Sequence, residues 1–226
     1  MNDNSRRKKY GMDTETIIRS TFENDRGWCD EYSTEKAREY ARNFQNNRTL
    51  GKGLLMWGKP GVGKSYLSYC IANSVFDMTH KVRNYLGSDN FIDLDDHYNI
   101  YIGRTDQAFN EYCRNDWEFI DRIRYLDLVI ISDLGREADS DRMTSFFNSW
   151  IDRLYEEMIP LVITTNLTIS EMMSSDRRLP AYDRIFSRSE VVEVRKRGSK
   201  TARQMEREEM MKGTKPDTSD ISDKIV

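Results

Sequence analysis

The sequence predicts an α/β fold of three layers, a central parallel sheet with helices on both faces. Short apolar runs alternate with stretches of helical spacing along most of the chain, which is the pattern of strand–helix–strand crossovers. One apolar run leads directly into the glycine-rich segment GKPGVGKS at Gly58–Ser65. The composition, 38% hydrophobic and 32% charged over 226 residues, suits one sizeable domain with short extensions. A net charge of −3 gives no global basic field, so any DNA contact must come from local patches. No apolar run approaches the roughly 18 residues of a membrane span, and MNDNSRRKKYG has no apolar stretch behind it as a secretory signal would. Cys29, Cys70 and Cys113 are far apart and, with His80 and His97, offer no zinc spacing. Reduced thiols in a cytoplasm and no membrane partner are the expectation.

Residues 1–20 are polar, basic at Arg6 to Lys9, and read as a solvated tail. Residues 33–44 read as a helix capped by Ser33, with Ala37, Tyr40, Ala41 and Phe44 on one face. Gly53–Trp57 reads as a buried strand, and Ser65–Phe76 as a helix with Leu67, Ile71 and Val75 inward. Asp77–Tyr98, with Gly87 to Asn90 and the acidic Asp93, Asp95 and Asp96, reads as a surface excursion. Asn99–Gly103 is an expected strand and Asp106–Tyr125 mostly helix. Leu126–Ile131, apolar and β-branched, is the expected central strand. Met143, Phe146, Phe147, Trp150, Ile151, Leu154 and Met158 mark a long amphipathic helix that packs in the core and ends before Pro160. Leu161–Thr165 is a strand, Thr168 and Glu171 have capping-box spacing, and Val191–Val194 is a last strand. Tyr98, Tyr101 and Tyr112 are read as core in preference to base-stacking groups. Residues 205–226 are charged, then rich in Ser, Thr and Asp, and are expected to fray.

Gly58, Lys59, Pro60, Gly61, Val62, Gly63, Lys64 and Ser65 fit G-x-x-x-x-G-K-[ST], the phosphate-binding P-loop. A polyphosphate must be wrapped by backbone N–H groups, and glycine allows the close approach and positive φ this needs. The helix that follows aims its dipole and free N–H groups at the same anion. Lys64 supplies charge for the β- and γ-phosphates, and the Ser65 hydroxyl can ligate Mg²⁺. ATP and Mg²⁺ are therefore the expected ligands. Hydrolysis also needs a carboxylate on a neighbouring strand and a group that polarises water. The strong candidate for the strand is Leu128–Gly135, LVIISDLG.

Together GLLMWGKPGVGKSYL, the strand ending in SDLG, the ITTNL strand and YDRIFSR resemble the AAA+ ATPases of the DnaC/IstB type, which are helicase loaders and transposition helper ATPases. TFEN at Thr21–Asn24 resembles a box ahead of the P-loop in that family. The resemblance covers roughly residues 20–205. It implies a short N-terminal extension and leading helix over 1–45, an AAA+ core over 46–205 with no or a reduced C-terminal lid, and a flexible charged tail over 206–226.

In that family the strand ends in two acidic residues, the first for Mg²⁺ and the second for water. Here Ser132 and Asp133 hold those places. The resemblance gives Asp133 the water-activating role and leaves a neutral hydroxyl where the metal carboxylate belongs, so slow turnover is expected. For Asp133 to reach the metal itself, the strand would need a local twist or register change. A turn or helix-cap role for Asp133 is the bland alternative. The resemblance makes Asn166 a sensor that orients the lytic water; an Asn at this point also suits a turn before Thr168. It makes Arg184 or Arg188, at i, i+4 on one helix face, a finger offered to a neighbouring subunit's nucleotide, against the alternative of a solvated basic face. Arg203 is a loose match to a second sensor arginine. Arg195, Lys196, Arg197 and Lys200 are candidates for DNA phosphate contact.

The implied function is an ATP-dependent DNA-replication accessory protein, helicase-loader-like and of a compact phage or mobile-element kind. It would form nucleotide-dependent homo-oligomers and engage a replicative DNA helicase and single-stranded DNA. The alternatives are an IstB-like transposition helper, and a weakly hydrolysing nucleotide-dependent scaffold, which Ser132 favours.

Overall fold

A computed structural model describes residues 3–25, 27–85, 91–115, 119, 122–137, 140–200, 204, 205, 207, 208 and 211. Five parallel strands form one sheet in the order β4-β5-β6-β1-β7: β1 (Gly53–Trp57), β4 (Ile100–Gly103), β5 (Leu128–Leu134), β6 (Leu161–Thr165) and β7 (Ser189–Glu193). Because the strands are parallel, their C-terminal ends share one edge, where a ligand crevice belongs in an open α/β sheet. Strand alternation divides the apolar residues between two cores. Leu54, Met56, Leu128, Ile130 and Val162 face one, and Leu55, Val129, Ile131 and Ile163 face the other. This is the expected three-layer αβα architecture.

The first core is closed by α5 (Lys64–Phe76), α3 (Glu31–Arg42) and the start of α4 (Phe44–Leu50). The second is closed by α6 (Thr105–Arg114), α7 (Asp141–Glu156) and α9 (Leu179–Arg188). Met143, Phe146, Phe147, Trp150, Ile151 and Leu154 are buried along α7, as its spacing predicts; Met158 lies beyond the helix and is partly exposed. The capping box at Thr168 and Glu171 opens the short α8 (Ile169–Met173). Asp30, not Ser33, caps α3: its carboxylate accepts from Ser33 N at 3.0 Å. Tyr98 is buried, and Tyr101 and Tyr112 pack against the second core.

Two expectations need correction. The first 20 residues are not a solvated tail. They form α1 (Asp3–Lys9) and α2 (Glu15–Arg19), and Met12 and Ile17 are buried in the first core. The reason lies in α5, which carries no charged residue from Ser65 to Phe76. A helix with no charged face along this stretch has most of its surface to cover. Arg6 donates to Phe76 O with its guanidinium 3.6 Å over the Phe76 ring. Arg7 donates to Asn73 Oδ1 at 2.7 Å, and Asn73 Nδ2 donates to Ile17 O and Ser20 O. The basic residues thus close the C-terminal end of α5, where the helix dipole favours cations. The second correction concerns 77–98, read as a surface excursion without strands, which holds two. β2 (Thr79–Tyr85) and β3 (Phe91–His97) pair antiparallel from Thr79↔His97 to Tyr85↔Phe91, a separate two-stranded sheet between α5 and β4.

β5 runs to Leu134, three residues past its expected end at Ile131, and so includes Ser132 and Asp133. Over 106–125, expected to be mostly helix, α6 ends at Arg114 and Phe119, Arg122 and Ile123 are again helical, with 116–118, 120 and 121 outside the described residues. Arg203 and most of the frayed tail also lie outside them. Among the described residues no helix is long and apolar enough to cross a membrane.

Candidate nucleotide-binding site

The loop after β1 turns back on itself with three glycines at positive φ: Gly58 at 146°, Gly61 at 77° and Gly63 at 100°. Two of them are also sterically fixed. A Cβ on Gly58 would lie 2.4 Å from the backbone oxygen of Val194, and one on Gly63 would lie 2.4 Å from Cys29 Sγ. Cys29 forms the floor of the loop, its thiol donating to Val62 O at 3.2 Å. Burial pushes that thiol up to about 12, so it is a packing group and not a nucleophile. Trp28 stands beside it, edge-on to Tyr66 at 5.1 Å. The segment around Cys29 is itself pinned by the chain after β7, through Asp30 N to Arg195 O at 2.9 Å and Arg197 N to Trp28 O at 3.2 Å.

Lys64, at the first position of α5, is 5% exposed. Its ammonium donates to Gly58 O at 2.8 Å, Lys59 O at 2.9 Å and Asn166 Oδ1 at 2.8 Å. All three N–H bonds of the ammonium are therefore engaged. Burial lowers its pKa to about 8, with the negative charge of Asp133 working in the opposite direction. The motif residues Gly58 to Ser65 and the tip of β6 thus meet at one point.

The end of β5 is irregular. Ile131 is opposite Ile163, but Leu134 is opposite Thr165, so β5 holds one residue more than β6 over this span. The extra residue is a β-bulge. Asp133 takes φ of 56°, a left-handed conformation rare for a side chain with a Cβ. Its N–H donates to Thr164 Oγ1 at 3.0 Å. The Thr165 hydroxyl donates to Leu134 O at 2.7 Å and accepts from Leu167 N at 3.0 Å. The Asp133 carboxylate, partly exposed, accepts from Arg136 Nη1 at 3.0 Å. Ser132 is buried and its Oγ has no hydrogen-bond partner. Beyond the tip, the Glu137 carboxylate accepts from Gly135 N at 3.0 Å and forms a buried ion pair with Arg178 at the start of α9.

Lys64, Asn166 and Asp133 are brought together, with Ser65 one position into α5. Arg184 and Arg188 are not part of this cluster. Both lie on the face of α9 toward α7, where Arg184 Nε pairs with Asp152 at 2.6 Å and Arg188 donates to Tyr155 O at 2.6 Å. Arg195, Lys196 and Lys200 are exposed, with Arg195 paired to Glu193 and Lys196 donating to Ser199 O. The threonine pair, the Cys29 floor and the Glu137–Arg178 pair escape sequence reading. A trace of the first is visible in Thr164-Thr165, two hydroxyls where a buried strand ends.

A family model described as the bacterial DnaA ATPase domain matches residues 19–185. The span takes in TFEN, the glycine loop, SDLG and ITTNL, and stops three residues short of Arg188. The chain is 27% identical over 128 residues to the chromosomal replication initiator protein DnaA of Onion yellows phytoplasma, covering 56% of this chain and 23% of that protein. It is 28% identical over 130 residues to DnaA of Streptococcus mutans, covering 56% and 26%. The chain thus spans about a quarter of the length of these curated relatives. Among solved structures, the DnaC helicase loader superposes with a TM-score of 0.61 at 19% identity, covering 80% of this chain and all of that one. DnaI superposes at 0.57 and 22% identity, covering 80% and 94%. AMPPCP-bound DnaA from Aquifex aeolicus superposes at 0.57 and 19% identity, covering 86% and 55%. At these identities the superpositions speak for the AAA+ fold.

Proposed function

The chain belongs to the bacterial DnaA ATPase domain family, and from that premise we propose that it is an ATP-binding accessory protein of DNA replication. In this reading it resembles a helicase loader, assembles with itself when nucleotide is bound, and engages a replicative helicase and single-stranded DNA. The observation that carries the reading is the buried Lys64 ammonium inside a glycine-turned loop, bonded to Asn166 at the tip of the adjacent strand.

The loop can bind a polyphosphate through its N–H groups and the start of α5. A phosphate oxygen that enters exchanges with one of the acceptors on Lys64. Asn166 is the acceptor that a side-chain rotation can release, which frees its amide to orient water at the terminal phosphate. The donor set suits Mg²⁺. Ser65 and Asp133 supply one hydroxyl and one carboxylate, leaving the rest of an octahedral shell to water and phosphate oxygens. Among the described residues no group of three His, Cys, Asp or Glu forms a cage for a different metal. Bound there, Mg²⁺ would neutralise charge on the β- and γ-phosphates. ATP hydrolysis to ADP and phosphate is slow in this reading, because a single carboxylate stands where metal binding and water activation each call for one.

Arg184 or Arg188 would act on the nucleotide of a neighbouring subunit once its contacts to α7 exchange. Arg203 would act on the nucleotide of its own chain, within a core over 46–205. Size-exclusion chromatography with light scattering checks the assembly. AMPPCP with single-stranded DNA is expected to convert the protein to a defined multiple of its 26.7 kDa mass. A monomer under every condition contradicts the assembly and the arginine finger. Ser132 also supports a second reading, a scaffold that binds nucleotide without turnover, which separate measurements of affinity and hydrolysis distinguish.

A further inference from the structure

The bulge in β5 has a consequence for the single carboxylate of the site. In a regular strand, Ser132 would follow Ile130 toward the α5 side of the sheet. Asp133 would follow Val129 and Ile131 into the apolar core under α7, and Leu134 would return to the α5 side. Instead Leu134 is buried in the same core as Ile131. The extra residue resets the alternation by one position, so Leu134 fills the apolar core and Asp133 is spared a burial that would leave its charge desolvated. The carboxylate stays partly exposed at the end of β5, where its negative charge acts on the Lys64 ammonium.

A bulge breaks ladder hydrogen bonds, and here side chains of β6 supply the replacements. Thr164 Oγ1 accepts the Asp133 N–H at 3.0 Å, and Thr165 Oγ1 donates to Leu134 O at 2.7 Å. Both threonines are fully buried, so each hydroxyl has few competing partners. The residue that follows them, Asn166, accepts from Lys64. One three-residue segment therefore holds the backbone of Asp133 and the ammonium of the phosphate loop.

We propose that Thr164 is a positioning residue: its hydroxyl holds Asp133 in the left-handed bulge, and this places the lone carboxylate on the metal side of the phosphate loop, in the duty that Ser132 cannot perform. This rests on the nucleotide-site reading above. It also predicts slow turnover, because a carboxylate committed to the metal is not free to take a proton from water.

The test titrates MgCl₂ into protein and AMPPCP and reads analogue binding by calorimetry, so it does not depend on hydrolysis. Thr164→Val removes the hydroxyl at nearly constant volume. It is expected to raise the Mg²⁺ concentration at half-saturation about tenfold, in line with the 10–100-fold cost of removing an outer-shell partner of a metal ligand. Affinity for AMPPCP in EDTA is expected to stay unchanged, and Thr164→Ser is expected to restore the wild-type midpoint. Asp133→Asn should shift the midpoint at least as far. If Thr164→Val does not fold, Thr164→Cys carries the same comparison, since a buried thiol is a poor acceptor. An unchanged midpoint in the threonine variant, with a shift in Asp133→Asn, overturns the positioning role. An unchanged midpoint in both overturns the metal assignment. Lys64→Ala, run alongside, separates these results from failure of the nucleotide site itself: only that failure leaves EDTA affinity intact when Lys64 is removed.

Discussion

The glycine loop and the tip of β5 face the same point and are built in opposite ways. The loop is held by backbone: three glycines in conformations that other residues adopt at a cost, and a lysine that satisfies its own loop's carbonyls. The tip is held from outside, by hydroxyls of β6 and by Glu137 with its buried partner Arg178. A site made of amides needs a fixed local sequence. A site made of one aimed carboxylate needs a neighbouring strand, and its local sequence can drift. Ser132 stands at such a strand end, where the bulge has already moved the acidic side chain next to it.

The largest expected effect breaks the loop side of this comparison. Gly58→Ala introduces a Cβ 2.4 Å from the backbone oxygen of Val194 at φ of 146°, so the chain just after β7 or the loop must move. A stability loss of about 2–3 kcal/mol by urea unfolding is expected from a backbone forced into this region, with loss of AMPPCP binding. The Thr164 substitution is the matched lesion on the tip side and should leave EDTA affinity alone. If instead Gly58→Ala folds and binds normally, the loop is not the rigid partner.

A smaller effect sharpens the loop side. Burial lowers the Lys64 pKa to about 8, and a polyphosphate favours the charged form. Below pH 8 the ammonium is present before binding and affinity is flat. As pH rises through 8 the lysine must take up a proton to bind, so affinity falls by up to about tenfold per pH unit. Calorimetry in buffers of different ionisation enthalpy should show proton uptake above pH 8 and little at pH 7. Equal affinity from pH 7 to 9.5 would mean that Lys64 is charged throughout.

The same contrast explains what could be read from the sequence. The glycine loop, the parallel strands and the α7 core stripe were legible because each depends on local residue type and period. The strand end at Ser132-Asp133 was legible as a defect, and a register change only as what Asp133 would need to reach the metal, since the register is set by pairing with β6 and the bonds that hold it are 31 residues away in the chain. The charge of the N-terminal segment suggests a solvated tail and hides its role as a cover. Arg6 and Arg7 look solvated until α5, which carries no charge after Lys64, is recognised as needing a cover, and their guanidiniums then have carbonyl, amide and ring partners at its end. The acidic residues in 77–98 suggest a surface excursion but give no sign of the strands β2 and β3, whose cross-strand pairing has no local signature.

The most direct measurement is the affinity of Lys64→Ala for AMPPCP, with its fold checked by circular dichroism and urea unfolding. Removing a charge-assisted donor to the phosphates is expected to weaken binding by about 100-fold, or about 3 kcal/mol, in a protein that unfolds as the wild type does. Undiminished affinity in a well-folded variant would contradict the assignment of this loop as the seat of the nucleotide.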